Sequence, residues 1–226
     1  MTDPNTGAGR TLVLASGNAG KLRELAAMLA PLGWEVAPQS DWNVPEAVED
    51  GLSFVENAIK KARMLHDKNT ATGLAVSIGQ YFDDHGHYPE VGSGTGDTVT
   101  KTDSTLMNIL QNVGPGGSHP QNLKGIRYFA GDPARGTSVS NAYRGLFYTG
   151  STSVDLFDAW KKRPPSDRRF YVAMDTDYDG KLFDPFDSGM IIHGIPVLVW
   201  STGKDGTYAS TGGAQAPENQ DNSYSW

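Results

Sequence analysis

The sequence predicts an α/β segment over residues 1–76, then an α+β, loop-rich region with a small antiparallel sheet over 77–208, and a flexible polar tail over 209–226. Three observations carry this division. Apolar residues near the N-terminus switch from a continuous run to a three- and four-residue period. The 27 glycines and 13 prolines are concentrated after about Gly92, where turns should dominate. The apolar runs beyond that point are short and separated by turn residues, the pattern of small strands.

Thr11-Leu12-Val13-Leu14-Ala15 is apolar and partly β-branched, which suits a buried strand. Ser16 to Gly20 form a polar turn into a helix with Leu22, Leu25, Ala26 and Leu29 on one face. Gly33 ends it, and Trp34-Glu35-Val36-Ala37 is a second short strand. Ser53, with Glu56 three positions on, has capping-box spacing and starts a helix through Phe54, Ala58, Ile59, Ala62 and Leu65. The pattern changes near Thr70, and Ala71 to Tyr81 fits either a strand or the start of a helix. Thr105 to Leu110 is a brief helix stopped by Gly114-Pro115-Gly116-Gly117. Residues 125–129, 169–174 and 195–200 read as short strands.

Composition excludes several functions. The 19 basic and 26 acidic residues give a charge of -7, which repels a nucleic-acid backbone. No stretch approaches the roughly 18 apolar residues of a membrane helix. The run from Gly189 to Trp200 contains His193 and Pro196 and reads as two strand pieces around a turn. The first residues lack a basic start and an apolar signal core, so a cytoplasmic protein is expected. With no cysteine there is neither a disulfide nor a thiolate metal site, and the five histidines are too scattered for zinc.

Ser16, Asn18 and Lys21 fall between a strand and a helix, where free amides and the positive helix end can hold an anion and Lys21 adds a charge. The glycine spacing of a P-loop is absent. An ordinary strand-to-helix turn with an exposed lysine fits these residues equally well. The blocks Thr11 to Leu25 and Glu49 to Arg63, in this order, closely resemble the start of the pyrophosphatases that remove inosine and xanthosine triphosphates. The resemblance implies an elongated α/β fold, a homodimer, a purine nucleoside triphosphate as substrate, and Mg2+-dependent release of pyrophosphate. It implies that Ser16, Asn18 and Lys21 contact the triphosphate, that Asn57 and Lys61 support the phosphate site, and that Glu49 helps hold the magnesium. Where that family has two adjacent aspartates before a Ser-Gly-Leu-Ala-Val segment, this chain has Thr70 and Ala71 before Thr72-Gly73-Leu74-Ala75-Val76. Neither residue binds magnesium strongly or accepts a proton from water, so nucleotide binding with weak or absent catalysis is expected. Asp83 and Asp84 lie close downstream and could replace the pair, solvated acids in a turn before Gly86 being the alternative.

A second constellation lies in Asp175-Thr176-Asp177-Tyr178-Asp179-Gly180, three carboxylates at alternate positions before a glycine. Oxygen ligands wrapped in this way suit Ca2+. An EF-hand is excluded because Phe186 stands where the bidentate glutamate belongs, so the reading is a looser loop of Asp175, Asp177, Asp179 and Asp187; a solvated acidic turn is the alternative. Tyr81 to Pro89, Leu156 to Trp160, the strand at Phe170 to Val172 and Val199 to Gly206 together resemble the globular part of a type II secretion pseudopilin. That resemblance implies a non-enzymatic, calcium-binding structural or interaction module, the competing hypothesis for the chain. A third is a chain that joins incomplete parts of two proteins.

Overall fold

The computed structural model describes residues 10–14, 16, 18–42, 51–92, 96–161 and 167–226. They form two compact units, Met1–Leu65 and His66–Trp226. In the first, strand β1 (Arg10–Leu14) pairs in parallel with β2 (Trp34–Pro38), Leu12 opposite Val36, through helix α1 (Ala19–Leu29). A parallel pair needs such a crossover. Leu22, Leu25, Ala26 and Leu29 are the half-buried face of α1, as their spacing predicts, while Lys21, Arg23, Glu24 and Met28 are exposed. The chain leaves α1 through a 3-10 turn at Ala30–Leu32 and reverses at Gly33, whose φ of 74° is the left-handed conformation that glycine tolerates.

Helix α2 (Phe54–His85) is a single run of 32 residues. It passes through the segment where a strand was an open alternative, and through the 76/77 boundary read from the sequence. Thr70, Thr72, Gly73, Ser77 and Gly79 are poor helix formers, yet Ala71, Leu74, Ile78 and Tyr81 recur along one face and are fully buried. Burial overrides propensity. The hydroxyls of Thr72 and Ser77 turn back onto the Lys68 and Gly73 carbonyls, so they do not compete for other backbone groups.

The second unit is organised by an antiparallel sheet in the order β10 (Ser223–Tyr224), β9 (Val197–Ser201), β6 (Tyr171–Met174) and β3 (Thr98–Lys101). Side chains alternate across its faces. Val172, Met174, Val197 and Val199 join the core of α2 and of α3 (Ser104–Gln111), whereas Ala173, Leu198 and Trp200 pack with Leu182 and Phe186 on the other side. Two hairpins complete the unit, β4 (Gly145–Thr149) with β5 (Ser153–Phe157), and β7 (Lys181–Asp184) with β8 (Asp187–His193).

The architecture is mixed α and β with several small sheets, mostly antiparallel, and the strand pieces on either side of Gly194 are β8 and β9. Two further expectations differ from what is found. Residues 125–129 form no strand; Tyr128 and Phe129 are buried there as single core contributors. The polar tail is packed rather than flexible. β10 pairs with β9, Tyr224 and Trp226 pack against the cluster around Trp200 and Phe186, and Asn219 bonds to the Ala209 and Gly213 carbonyls. Two aromatic residues at its end give an otherwise polar segment enough apolar surface to dock. Among the described residues no helix is long and apolar enough to cross a membrane.

Leu74→Ala should cost about 2–5 kcal/mol of stability, because it opens a cavity in a fully buried layer. A urea melt followed by circular dichroism measures this loss.

Candidate functional site

The turn between β1 and α1 brings Ser16, Asn18 and Lys21 together. Asn18 is extended at φ -78°, ψ 105° and is the N-cap of α1. Its Oδ1 accepts the Gly20 N–H at 2.9 Å and the Lys21 N–H at 3.1 Å, and its own N–H donates to the Ser16 Oγ at 3.2 Å. Two amides that could face an anion are therefore held by the Asn18 side chain. The exposed Lys21 supplies a charge on a flexible stem beside the positive end of the helix.

Asn57 lies in a second local knot, at the start of α2. Its Oδ1 accepts the Gly51 N–H at 2.8 Å, Ser53 Oγ accepts the Glu56 N–H at 3.2 Å, and Glu56 Oε2 accepts the Leu52 N–H at 2.8 Å. This is the capping box read from the sequence, with Glu56 reaching Leu52 rather than the cap itself. A Cβ on Gly51 would stand 2.5 Å from Asn57 Oδ1, so the knot requires glycine there. Lys61 is half-buried on α2. Glu49, the assigned magnesium ligand, lies outside the described residues.

Thr70 and Ala71, at the positions of the acidic pair, are helical. Ala71 is fully buried, and the Thr70 hydroxyl is 3.4 Å from His66 Nδ1. Asp84 is already engaged: it accepts from the Tyr128 hydroxyl at 2.8 Å and pairs with Lys124 at 3.4 Å. The Tyr128 hydrogen bond, then Lys124, holds its carboxyl below the usual range. Because Tyr128 donates to Asp84, it accepts at 3.1 Å from His85 Nε2.

In the acidic loop the backbone wraps at Tyr178 (φ 62°) and Gly180 (φ 76°), the turn that the glycine predicts. Asp175 is buried and accepts the Asp179 and Gly180 N–H groups at 3.1 and 3.0 Å. Ligand oxygens of Asp175, Asp177 and Asp97 lie within 4.8 Å of one another. Asp97 went unrecognised in the sequence, where it sits in a glycine-rich tract. The signal that finds it is register: Thr98 opposite Met174 places Asp97 beside Asp175. Burial, then the charges of Asp177, Asp175 and Asp179, pushes the Asp97 carboxyl up. Asp179 instead pairs with Lys181 at 3.0 Å, which lowers its carboxyl, and Asp187 Oδ1 accepts the Gly189 N–H at 3.2 Å. Neither belongs to the three-carboxylate group.

Residues 12–113 match a family model described as the Ham1 family. The N-terminal region is Ham1-like. A dITP/XTP pyrophosphatase of Thioalkalivibrio sulfidiphilus (strain HL-EbGR7) is 42% identical over 106 residues, which are 45% of this chain and 54% of that protein. One of Xylella fastidiosa (strain 9a5c) is 39% identical over 125 residues, 54% of this chain and 60% of that protein. One of Vibrio cholerae serotype O1 is 56% identical over 54 residues, 24% and 27% of the two chains. The chain spans about half the length of the first two of these relatives. The comparisons give no support to the pseudopilin resemblance over residues 77–208. The Ham1-like region contains both local knots, the one around Asn18 and the one around Asn57.

Asn18→Ala should destabilise by about 1 kcal/mol, the usual cost of losing an N-cap, while Asn18→Ser should lose less. Thermal unfolding of the two variants ranks them.

Proposed function

We propose that the Ham1-like region binds a purine nucleoside triphosphate of the dITP/XTP class together with magnesium. The observation that carries this reading is the strand, Asn18-capped turn and helix that present Ser16 and Lys21 at the positive end of α1. Likeness to dITP/XTP pyrophosphatases supplies the substrate class. Ser16 Oγ and Lys21 Nζ donate to phosphate oxygens, and Asn57 holds the Gly51 turn in shape. Glu49 would help hold the magnesium, an ion that takes water, phosphate oxygens and one or two carboxylates as ligands and would offset triphosphate charge. Among the described residues the first unit gathers no group of three metal-ligating side chains. Pyrophosphohydrolysis is slow or absent, because Thr70 and Ala71 offer no carboxylate. A cytoplasmic homodimer accompanies this reading.

Titration calorimetry with a nonhydrolysable inosine triphosphate analogue and magnesium should give saturable heat that Lys21→Ala weakens about tenfold, roughly 1.4 kcal/mol. An unchanged trace in the variant removes Lys21 from the site. Pyrophosphate release from dITP over many turnovers would show that catalysis survives without the pair.

The grouping of Asp97 with Asp175 and Asp177 favours a second reading for the other unit, a structural Ca2+ loop. Three near carboxylates repel, and a divalent ion offsets this. Calcium should then raise the unfolding temperature of the full chain more than magnesium does, and Asp97→Asn should reduce the rise. An equal rise in that variant excludes Asp97 as a ligand.

A further inference from the structure

Asp67 of α2 and Asp158 of the turn after β5 are both fully buried in the second unit. They are bound alike. Asp67 Oδ1 accepts the Ala159 N–H at 2.8 Å, and Asp158 Oδ1 accepts the Trp160 N–H at 2.9 Å. The second oxygen of each faces one hydroxyl, Ser201 Oγ at the end of β9, at 3.4 Å from Asp67 Oδ2 and 3.3 Å from Asp158 Oδ2. Ser201 Oγ also accepts the Gly203 N–H at 3.2 Å.

A serine hydroxyl has one proton to donate. It serves one carboxylate as a full donor, and a proton on the other carboxyl oxygen turns that contact into a hydrogen bond as well. Charge counting agrees. The buried Arg168 is fixed by the Gly203 and Lys204 carbonyls, and its charge acts on Asp158. One guanidinium with a carboxyl pair holding one proton is neutral, whereas two ionised carboxylates leave an uncompensated buried charge. Further ionisable residues adjoin the pair: Asp221 Oδ2 accepts the Lys204 N–H at 2.7 Å beside Gly203, the Arg144 N–H donates to the Asp158 carbonyl, and two more lie on α2. His66 Nδ1 is 3.6 Å from Asp67 Oδ1 and also meets Thr70, and Lys68 is turned toward the Trp226 carbonyl at 3.3 Å.

We propose that Asp67 and Asp158 share one proton through Ser201, and that this proton is a pH-sensitive latch tying α2 to β9 and to the turn after β5. Burial, the largest influence on each, raises both carboxyls, and for Asp158 the charge of Asp67 adds to it. A raised folded value fixes the sign. The latch contributes fully below the ordinary aspartate range and is lost as pH rises through the folded value, because the unfolded chain then holds fewer protons than the folded one.

Thermal unfolding of the full chain, read by the fluorescence of tryptophans that include the buried Trp160 and Trp200, tests this between about pH 5 and about pH 8. Asp158→Asn has the shape of the protonated carboxyl, and its amide can donate to Ser201 at every pH. Its melting temperature should exceed that of the natural chain by a margin that widens by about 3 °C or more between about pH 5 and about pH 8. The same fall toward high pH in both proteins overturns the proposal. Should Asp158→Asn not fold, Asp67→Asn makes the same comparison. Infrared spectra of the natural folded chain near neutral pH should also show a protonated-carboxyl C=O band that disappears on unfolding, and a folded chain without that band overturns the proposal.

Discussion

Strands β6 and β9 lie side by side at the centre of a sheet covered on both faces, and most of the second unit follows from that constraint. Backbone groups at the middle of such a sheet cannot reach water, so each strand must find a ladder partner on both sides. β3 completes one side and β10 the other. Because side chains alternate, Val172, Met174, Val197 and Val199 demand a cover on one face, and Ala173, Leu198 and Trp200 demand one on the other. The buried stripe of α2 with α3 supplies the first. The β7–β8 hairpin, through Leu182 and Ile192, and the C-terminal aromatics supply the second. Each fully buried aliphatic side chain contributes about 1.5–3 kcal/mol, which is what holds α2 helical across its threonines and glycines.

The same covering explains where polar chemistry is confined. Acids collect near strand ends: Asp97 and Asp175 where β3 meets β6, and Asp158 after β5, facing Ser201 at the end of β9. At the first place the carboxylates stay partly wet and can attract a cation. At the second they are dry, and a proton and a guanidinium must balance them. One chemical group thus has two behaviours, decided by burial.

Much of the fold was legible because local signals agreed with it. β1, α1, β2, α3, β6, β8 and β9 were visible as periods and turns, and the spacing of Ser53 and Glu56 marked a helix start that the hydrogen bonds bear out. The length of α2 was obscured because threonine and glycine weaken the helical signal while the residues that rescue it, Ala71, Leu74, Ile78 and Tyr81, do so only through contacts distant in sequence. The packed tail was hidden for a related reason: Tyr224 and Trp226 are isolated in a polar segment, and only the partner surface gives them a role. The Ser16, Asn18 and Lys21 turn was readable because all of its bonds are local. Asp97 and the Asp67–Asp158 pair were not, since sheet register and tertiary packing bring them together.

The first unit obeys a different balance. Parallel strands ordinarily have both faces covered, yet among the described residues of β1, α1 and β2 none is buried, and Leu12, Val13 and Leu14 are only partly shielded. Among the described residues of these three elements apolar burial therefore contributes less than in the second unit, and short-range bonds such as the Asn18 cap carry a larger share. A unit of this kind responds strongly to any ligand that binds its folded form, because the gain of RT ln(1 + [L]/Kd), about 2.7 kcal/mol at a hundredfold excess over Kd, is then a large fraction of its stability. If a triphosphate sits at the end of α1, it strengthens the same turn that Asn18 caps. Recognition and folding would then meet at one turn, its Gly20 and Lys21 amides held by Asn18 while the Ser16 and Lys21 side chains face the phosphates.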